Sequence, residues 1–170
     1  MKRIVLKYGI IGGVISSIIG TLNWLLIAHS IGVKGSQAVG YISITLSLLC
    51  IPFGVRYFRD KLNNETVSFG QAFKIGLGIT IMAAIVMAIH SVLFFVFQKE
   101  EFLEWQRMNL SQAELIAFNE QLAQMPEFAY TPWFQGIVMF FMVFLIGAIV
   151  NLISALILRQ ETVEGANAPQ

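Results

Sequence analysis

The chain has 170 residues, a formal net charge of +1, and a composition that is 56% apolar and only 12% charged. A soluble domain averages roughly 45–50% apolar and about 25% charged, so an ordinary soluble globular protein is excluded first. A charge this close to zero gives no electrostatic case for a nucleic-acid partner.

The few charges are segregated. No Lys, Arg, Asp or Glu lies between Lys7 and Lys34, or from Val39 to Val55, Ile75 to Gln98 and Tyr130 to Leu158. Crossing the hydrocarbon core takes roughly 20 apolar residues. The windows therefore predict four transmembrane helices, at about 4–27, 37–58, 69–97 and 133–158. The basic start Met1-Lys2-Arg3 mimics a signal peptide. The apolar run behind it is too long for an h-region, however, and no small-x-small cleavage site closes it. It is expected to remain as a helix.

The first span carries Gly9, Gly13, Ser17 and Thr21 on one face, with Gly12, Ser16 and Gly20 beside it. Two narrow faces predict two helical neighbours, because small residues let backbones approach in a bilayer. Trp24 falls at the expected outer interface. A short connection, Ala28 to Ser36, predicts an antiparallel second span. That span shows Gly40, Ser43, Ser47, Cys50 and Gly54 at alternating steps of three and four. Pro52 should kink it near the inner end, since proline has no N–H to give the ladder. Cys50 is the single cysteine; it reads as a small packing residue rather than a disulfide or metal partner.

A polar loop with an Asn63-Asn64 turn follows, and Ser68-Phe69-Gly70-Gln71 fits a capping box opening the third span. Along that span Ala72, Gly76, Thr80, Ala84 and Ala88 recur every four residues. This is the face around which the other helices are expected to assemble. The segment 98–132 carries six glutamates. Within it Ser111 and Glu114 form a second capping box, and Leu115, Phe118, Leu122 and Met125 line one helical face up to Pro126. Glu100 to Met108 either extends the third span or lies flat at the headgroups. The fourth span repeats the small-residue theme at Gly147, Asn151 and Ala155, and residues 161–170 read as a disordered cytoplasmic tail.

Eight basic residues fall on one side: Lys2, Arg3, Lys7, Arg56, Arg59, Lys61, Lys74 and Arg159. Lys34, Lys99 and Arg107 fall on the other. The positive-inside rule then places both termini in the cytoplasm and the glutamate-rich loop outside. The fold class is all-α: a four-helix transmembrane bundle with an amphipathic helix in the long outer loop.

Chemistry-bearing motifs are scarce. No HExxH, GxSxG, P-loop or dinucleotide fingerprint occurs, and no charged residue lies inside a span, so neither an enzyme nor a bound cofactor is expected. The candidate intramembrane polar site is Asn23, His90 and Asn151. Asn23 and His90 both fall in the outer half and are expected to be able to meet, while Asn151 lies in the inner half. Structurally these residues read as cross-helix hydrogen-bonding groups; functionally, the pair Asn23 and His90 reads as a small-molecule or proton site.

The entry Thr66-Val67-Ser68-Phe69-Gly70-Gln71-Ala72-Phe73-Lys74-Ile75-Gly76, the glycine-rich first span and the acidic outer loop together form a pattern. It resembles the bacterial domain-of-unknown-function family four-one-nine-nine, small four-span membrane proteins. The resemblance covers about residues 1–160 and implies that fold and a place in the bacterial cytoplasmic (inner) membrane. It brings no catalytic residues. The expected function is that of a non-enzymatic subunit or regulator, binding a membrane partner protein through its small-residue stripes or outer loop. The alternative is a small carrier or pore, a homo-oligomer passing a neutral or apolar solute.

Overall fold

The computed structural model describes residues 1–160; the expected disordered tail lies outside the described residues. The chain is helical almost throughout. It comprises α1 (Lys2–Leu22), a π-helical turn (Asn23–Ile27), α2 (Ala28–Leu48), α3 (Cys50–Leu62), α4 (Phe69–Met108), α5 (Gln112–Gln124), a short 3-10 turn (Glu127–Tyr130) and α6 (Pro132–Leu158). Three stretches are long and apolar enough to cross a membrane: Lys2–Leu62, Phe69–Met108 and Pro132–Leu158.

The first stretch is folded back on itself. Gly32 adopts φ +68° and ψ −175°, a conformation essentially confined to glycine, and the chain reverses there. Contacts on either side confirm the antiparallel course. Asn23 Nδ2 donates to Ser36 Oγ (2.6 Å), Ser16 Oγ meets Ser43 Oγ (3.3 Å), and Gly54 lies against Tyr8. The connection expected across 28–36 is thus a single broken residue between helical turns.

Pro52 acts one turn above its own position. It has no N–H for the Leu48 carbonyl, and the helix breaks at Leu49, whose N–H turns to Leu46 O (3.2 Å).

α4 is the centre of the assembly. It lies parallel to α1, with Val5 beside Gly78 and Gly13 beside Val86. Against α6 it runs antiparallel, with Gly76 facing Asn151, Thr80 facing Gly147 and Val92 facing Gly136. Ala72, Gly76, Thr80 and Ala84 are all buried, as the four-residue stripe predicts. Three of the buried hydroxyls fit among these apolar neighbours by bonding within their own helices. Ser47 donates to Ile44 O (2.7 Å), Thr80 to Gly76 O (2.9 Å) and Ser154 to Val150 O (2.7 Å).

Small polar side chains share the interior with apolar ones such as Leu48, Ile51, Ile75 and Ile79, while large apolar side chains cover the outside. Ser16, Asn23, Ser43, Ser47, Thr80, Ser91, Asn151 and Ser154 are buried. Meanwhile Trp133, Ile137, Phe141, Leu145, Ile149, Ile153 and Ile157 stand exposed at four-residue steps down α6. A continuous apolar stripe of that length needs an apolar surrounding.

Both capping boxes form where the sequence placed them. Ser68 accepts from Gln71 N while Gln71 Oε1 accepts from Ser68 N, and Ser111 and Glu114 do the same. α4 continues without a break to Met108, so Glu100–Met108 extends the third helix. At 1.5 Å per residue its 40 residues span about 60 Å.

The connection to α4 is held by Asn63 Nδ2 donating to Thr66 O (2.7 Å), with Asn64 and Glu65 at positive φ. Beyond it, Val67 and Gln160 exchange two backbone hydrogen bonds of 2.8 Å, tying the end of α6 to the start of α4.

Two glycine comparisons test this packing. A Cβ on Gly76 would collide with the Asn151 side chain, whereas one on Gly40 meets nothing within 4 Å. Gly76→Ala should cost about 1–3 kcal/mol, and Gly40→Ala should be neutral or stabilise by up to about 1 kcal/mol; thermal unfolding of the detergent-purified variants reads both. Gly32→Ala should cost about 1–3 kcal/mol through the forbidden backbone conformation. An unchanged melting temperature would contradict the reversal at that residue.

Candidate functional site

The structure separates the three polar residues that the sequence singled out. Asn23 sits at the start of the π-turn and is 7% exposed. Its amide is turned to α2, donating to Ser36 Oγ and, at 3.4 Å, to Ser36 O. It does not meet His90. The antiparallel return after Gly32 brings Ser36 beside Asn23, and Ser36 takes its amide. Asn151 is fully buried, and its Nδ2 donates to Phe73 O (3.0 Å). Its Oδ1 has no conventional donor and lies against Gly76, whose Cα–H is the group facing it. Such a contact is a weak hydrogen bond, so Asn151 acts as a clamp between α4 and α6. Fourteen residues of helix, about 21 Å, separate Gly76 from His90.

His90 is therefore the one candidate with an accessible face. Its ring crosses from α4 to α1, where Nε2 lies 2.9 Å from Thr21 Oγ. The ring passes beside Gly20, where a Cβ would be in ordinary van der Waals contact with His90 Cε1 at 3.7 Å. Thr21 Oγ also lies 3.0 Å from Ser17 O, and Ser17 Oγ donates to Gly13 O (2.8 Å). Together with Val14, Ile18 and Leu22 these residues line an open groove of about 350 Å³ on the outside of the helices. Thr21 and Ser17 are thus site residues reached through the small-residue face of α1. Their i, i+4 spacing was visible in the sequence, but the partner on α4 was not.

The remaining predicted packing residues fall as follows. Gly9 and Gly13 face α4, Ser47 is buried against Gly12, Gly54 packs on Ile79, and Gly147 meets Thr80 and Leu48. Gly40 stands apart, with open space around it. Ala84 is buried, and Ser17 is half-buried in the groove.

A second centre was not anticipated. At the glutamate-rich end Trp24, Phe94, Phe102 and Trp105 form one aromatic cluster, with Trp24 and Trp105 meeting edge to face at 5.4 Å. His29 leans on both indoles at 5.5 and 6.3 Å. Trp24, expected at an interface, is buried here, and Trp105 is only 3% exposed. The spacing of Phe94, Phe102 and Trp105 puts them on one face of α4. The cluster pins the extension of α4 to the α1–α2 turn, and the Trp105 Nε1–H and Asn23 Oδ1 remain without partners inside it.

Charged groups lie at the two ends. Hydrogen bonding to Arg59 holds the Asp60 carboxyl below its ordinary range, and bonds from the Ser111 backbone and hydroxyl do the same for Glu114. Among the described residues no three His, Cys, Asp or Glu side chains converge to share an ion.

No curated protein and no solved structure matches the chain. A family described as "Protein of unknown function (DUF4199)" matches residues 7–160. The match takes in all of the helices but the first five residues of α1, with the reversal at Gly32, the groove at His90 and the Val67–Gln160 tie, and the chain belongs to that family.

Proposed function

We propose that the protein crosses the bacterial cytoplasmic membrane four times with both termini in the cytoplasm. In this reading it acts without catalysis, as a subunit or regulator that binds a membrane partner protein at its outer end. The reversal at Gly32 supports the count, because it divides the 61-residue first stretch into two antiparallel crossings. The orientation rests on charge. The directions of the helices gather Lys2, Arg3, Lys7, Arg56, Arg59, Lys61, Lys74 and Arg159 at one end, and α5 with its glutamates at the other.

One observation carries the partner reading to the outer end rather than to the helix faces. The small-residue faces expected to receive a partner are filled by the protein's own helices, Gly9 and Gly13 by α4, Gly12 by Ser47, and Gly76 by α6. α5, by contrast, buries none of its residues, yet its start is fixed by a complete capping box. It presents Ile116, 62% exposed, and Met108 before it and Phe128 after it in the chain are exposed as well. A positioned amphipathic helix with an uncovered apolar residue suits protein docking. The competing reading, an oligomeric carrier or pore for a neutral or apolar solute, draws on the groove at His90 alone.

Topology reporters fused after Asn64 and after Gln124 should report opposite compartments; a shared compartment would overturn the four crossings. A photoreactive amino acid at Ile116, illuminated in native membranes, should form an adduct with a second membrane protein. The same group at Leu145 on the exposed stripe of α6 should label lipid. Self-adducts alone at Ile116 would overturn the partner reading in favour of the oligomeric carrier.

A further inference from the structure

The groove at His90 contains an imidazole with half of its hydrogen-bonding capacity unused. Thr21 Oγ contacts two groups, Ser17 O at 3.0 Å and His90 Nε2 at 2.9 Å. A hydroxyl has one proton, and a carbonyl can only accept. The Thr21 proton therefore goes to Ser17 O, and His90 donates its Nε2–H to Thr21 Oγ. That fixes the tautomer and leaves Nδ1 as a lone-pair acceptor, with no partner among the described residues.

The surroundings offer nothing to meet it. The Ser17 proton is committed to Gly13 O, and Val14, Ile18 and Leu22 complete the lining. His90 lies nine residues before Lys99 on a continuous helix, about 13 Å deeper. On the four-crossing reading, on which this inference rests, that depth is within the outer leaflet, where water does not supply donors.

We propose that this groove binds a long-chain alcohol, a single-chain lipid whose terminal hydroxyl donates to His90 Nδ1 while its chain lies along Val14, Ile18 and Leu22. The donor requirement selects the headgroup. A ketone, quinone or ester carbonyl only accepts and cannot satisfy a second acceptor. A carboxylic acid adds a carbonyl for which the lining has no free donor. A phospholipid would have to carry its phosphate to a depth at which the lining holds no cation.

The test uses the full-length protein in lipid nanodiscs with hexadecanol carrying a mid-chain diazirine. Its methyl ether, which keeps the chain but cannot donate, is the matched control. The alcohol should label peptides from α1 around Ile18 and from α4 around His90, with apparent affinity about tenfold above the ether. His90→Phe, which keeps an aromatic ring, should reduce alcohol labelling to the level of the ether, and Ile18→Trp should block both probes. Equal labelling by alcohol and ether on the unaltered protein would overturn the proposal, and it needs no variant to fold. Labelling that survives His90→Phe, or that maps elsewhere, would do the same, as would disulfide-linked dimers of Ile18→Cys in place of labelling, since a second copy would then cover the groove. A diazirine phospholipid should label the α6 stripe around Leu145 in every case. Its failure there would count against the membrane reading and leave the groove's chemistry to be judged by the alcohol and ether alone.

Discussion

The structure depends on how closely α6 approaches α4. At Gly76 the backbone of α4 has no side chain to hold α6 away, and Asn151 fills the space, with its amide donating to Phe73 O. One turn along the roles are exchanged, and Thr80 fills the space over Gly147. Between helices apolar enough to cross a membrane there is little hydrophobic drive to gain in a bilayer, so close contact and interhelical hydrogen bonds supply the cohesion. This seam then fixes the rest. Ile51 of α3 packs at Gly76 and Leu48 of α2 at Gly147, and α1 settles into the far side of α4 through Gly9 and Gly13.

The same economy explains why so many hydroxyls are buried without forming a polar channel. A serine or threonine that donates to a carbonyl one turn back leaves a surface little larger than alanine and no unmet proton. Ser47, Thr80 and Ser154 are small residues in this sense. His90 cannot follow that route, because an imidazole has two ring nitrogens and α1 answers only one of them.

Much of this was legible in the residue order. The capping boxes located the starts of α4 and α5 to the residue, since both partners of each box lie within four positions. The stripe through Ala72, Gly76, Thr80 and Ala84 identified the buried face of α4 because side-chain size and helical period are local facts. What stayed hidden depended on distant contacts. Nothing distinguished Gly32 from Gly35 as the point of reversal, because only the folded chain requires positive φ at one of them. The extension of α4 was obscured by Lys99, Glu100 and Glu101, which end a hydropathy window but are good helix formers. The pairing of His90 with Thr21 instead of Asn23 followed from Ser36, a residue that a search for chemistry passes over.

The exchange of backbone hydrogen bonds between Val67 and Gln160 divides the chain in two. It closes residues 67–160 into a ring whose two ends touch, so α4, α5 and α6 form a module complete in its own connectivity. The residues before it, joined through the polar turn at Asn63 to Thr66, form a second module folded at Gly32. The first half has its own reversal, and it meets the second where the Gly9 and Gly13 face of α1 is covered by α4. The protein is thus two halves in one bundle, and the hydrogen-bonded turn at Asn63 to Thr66 is the covalent joint between them.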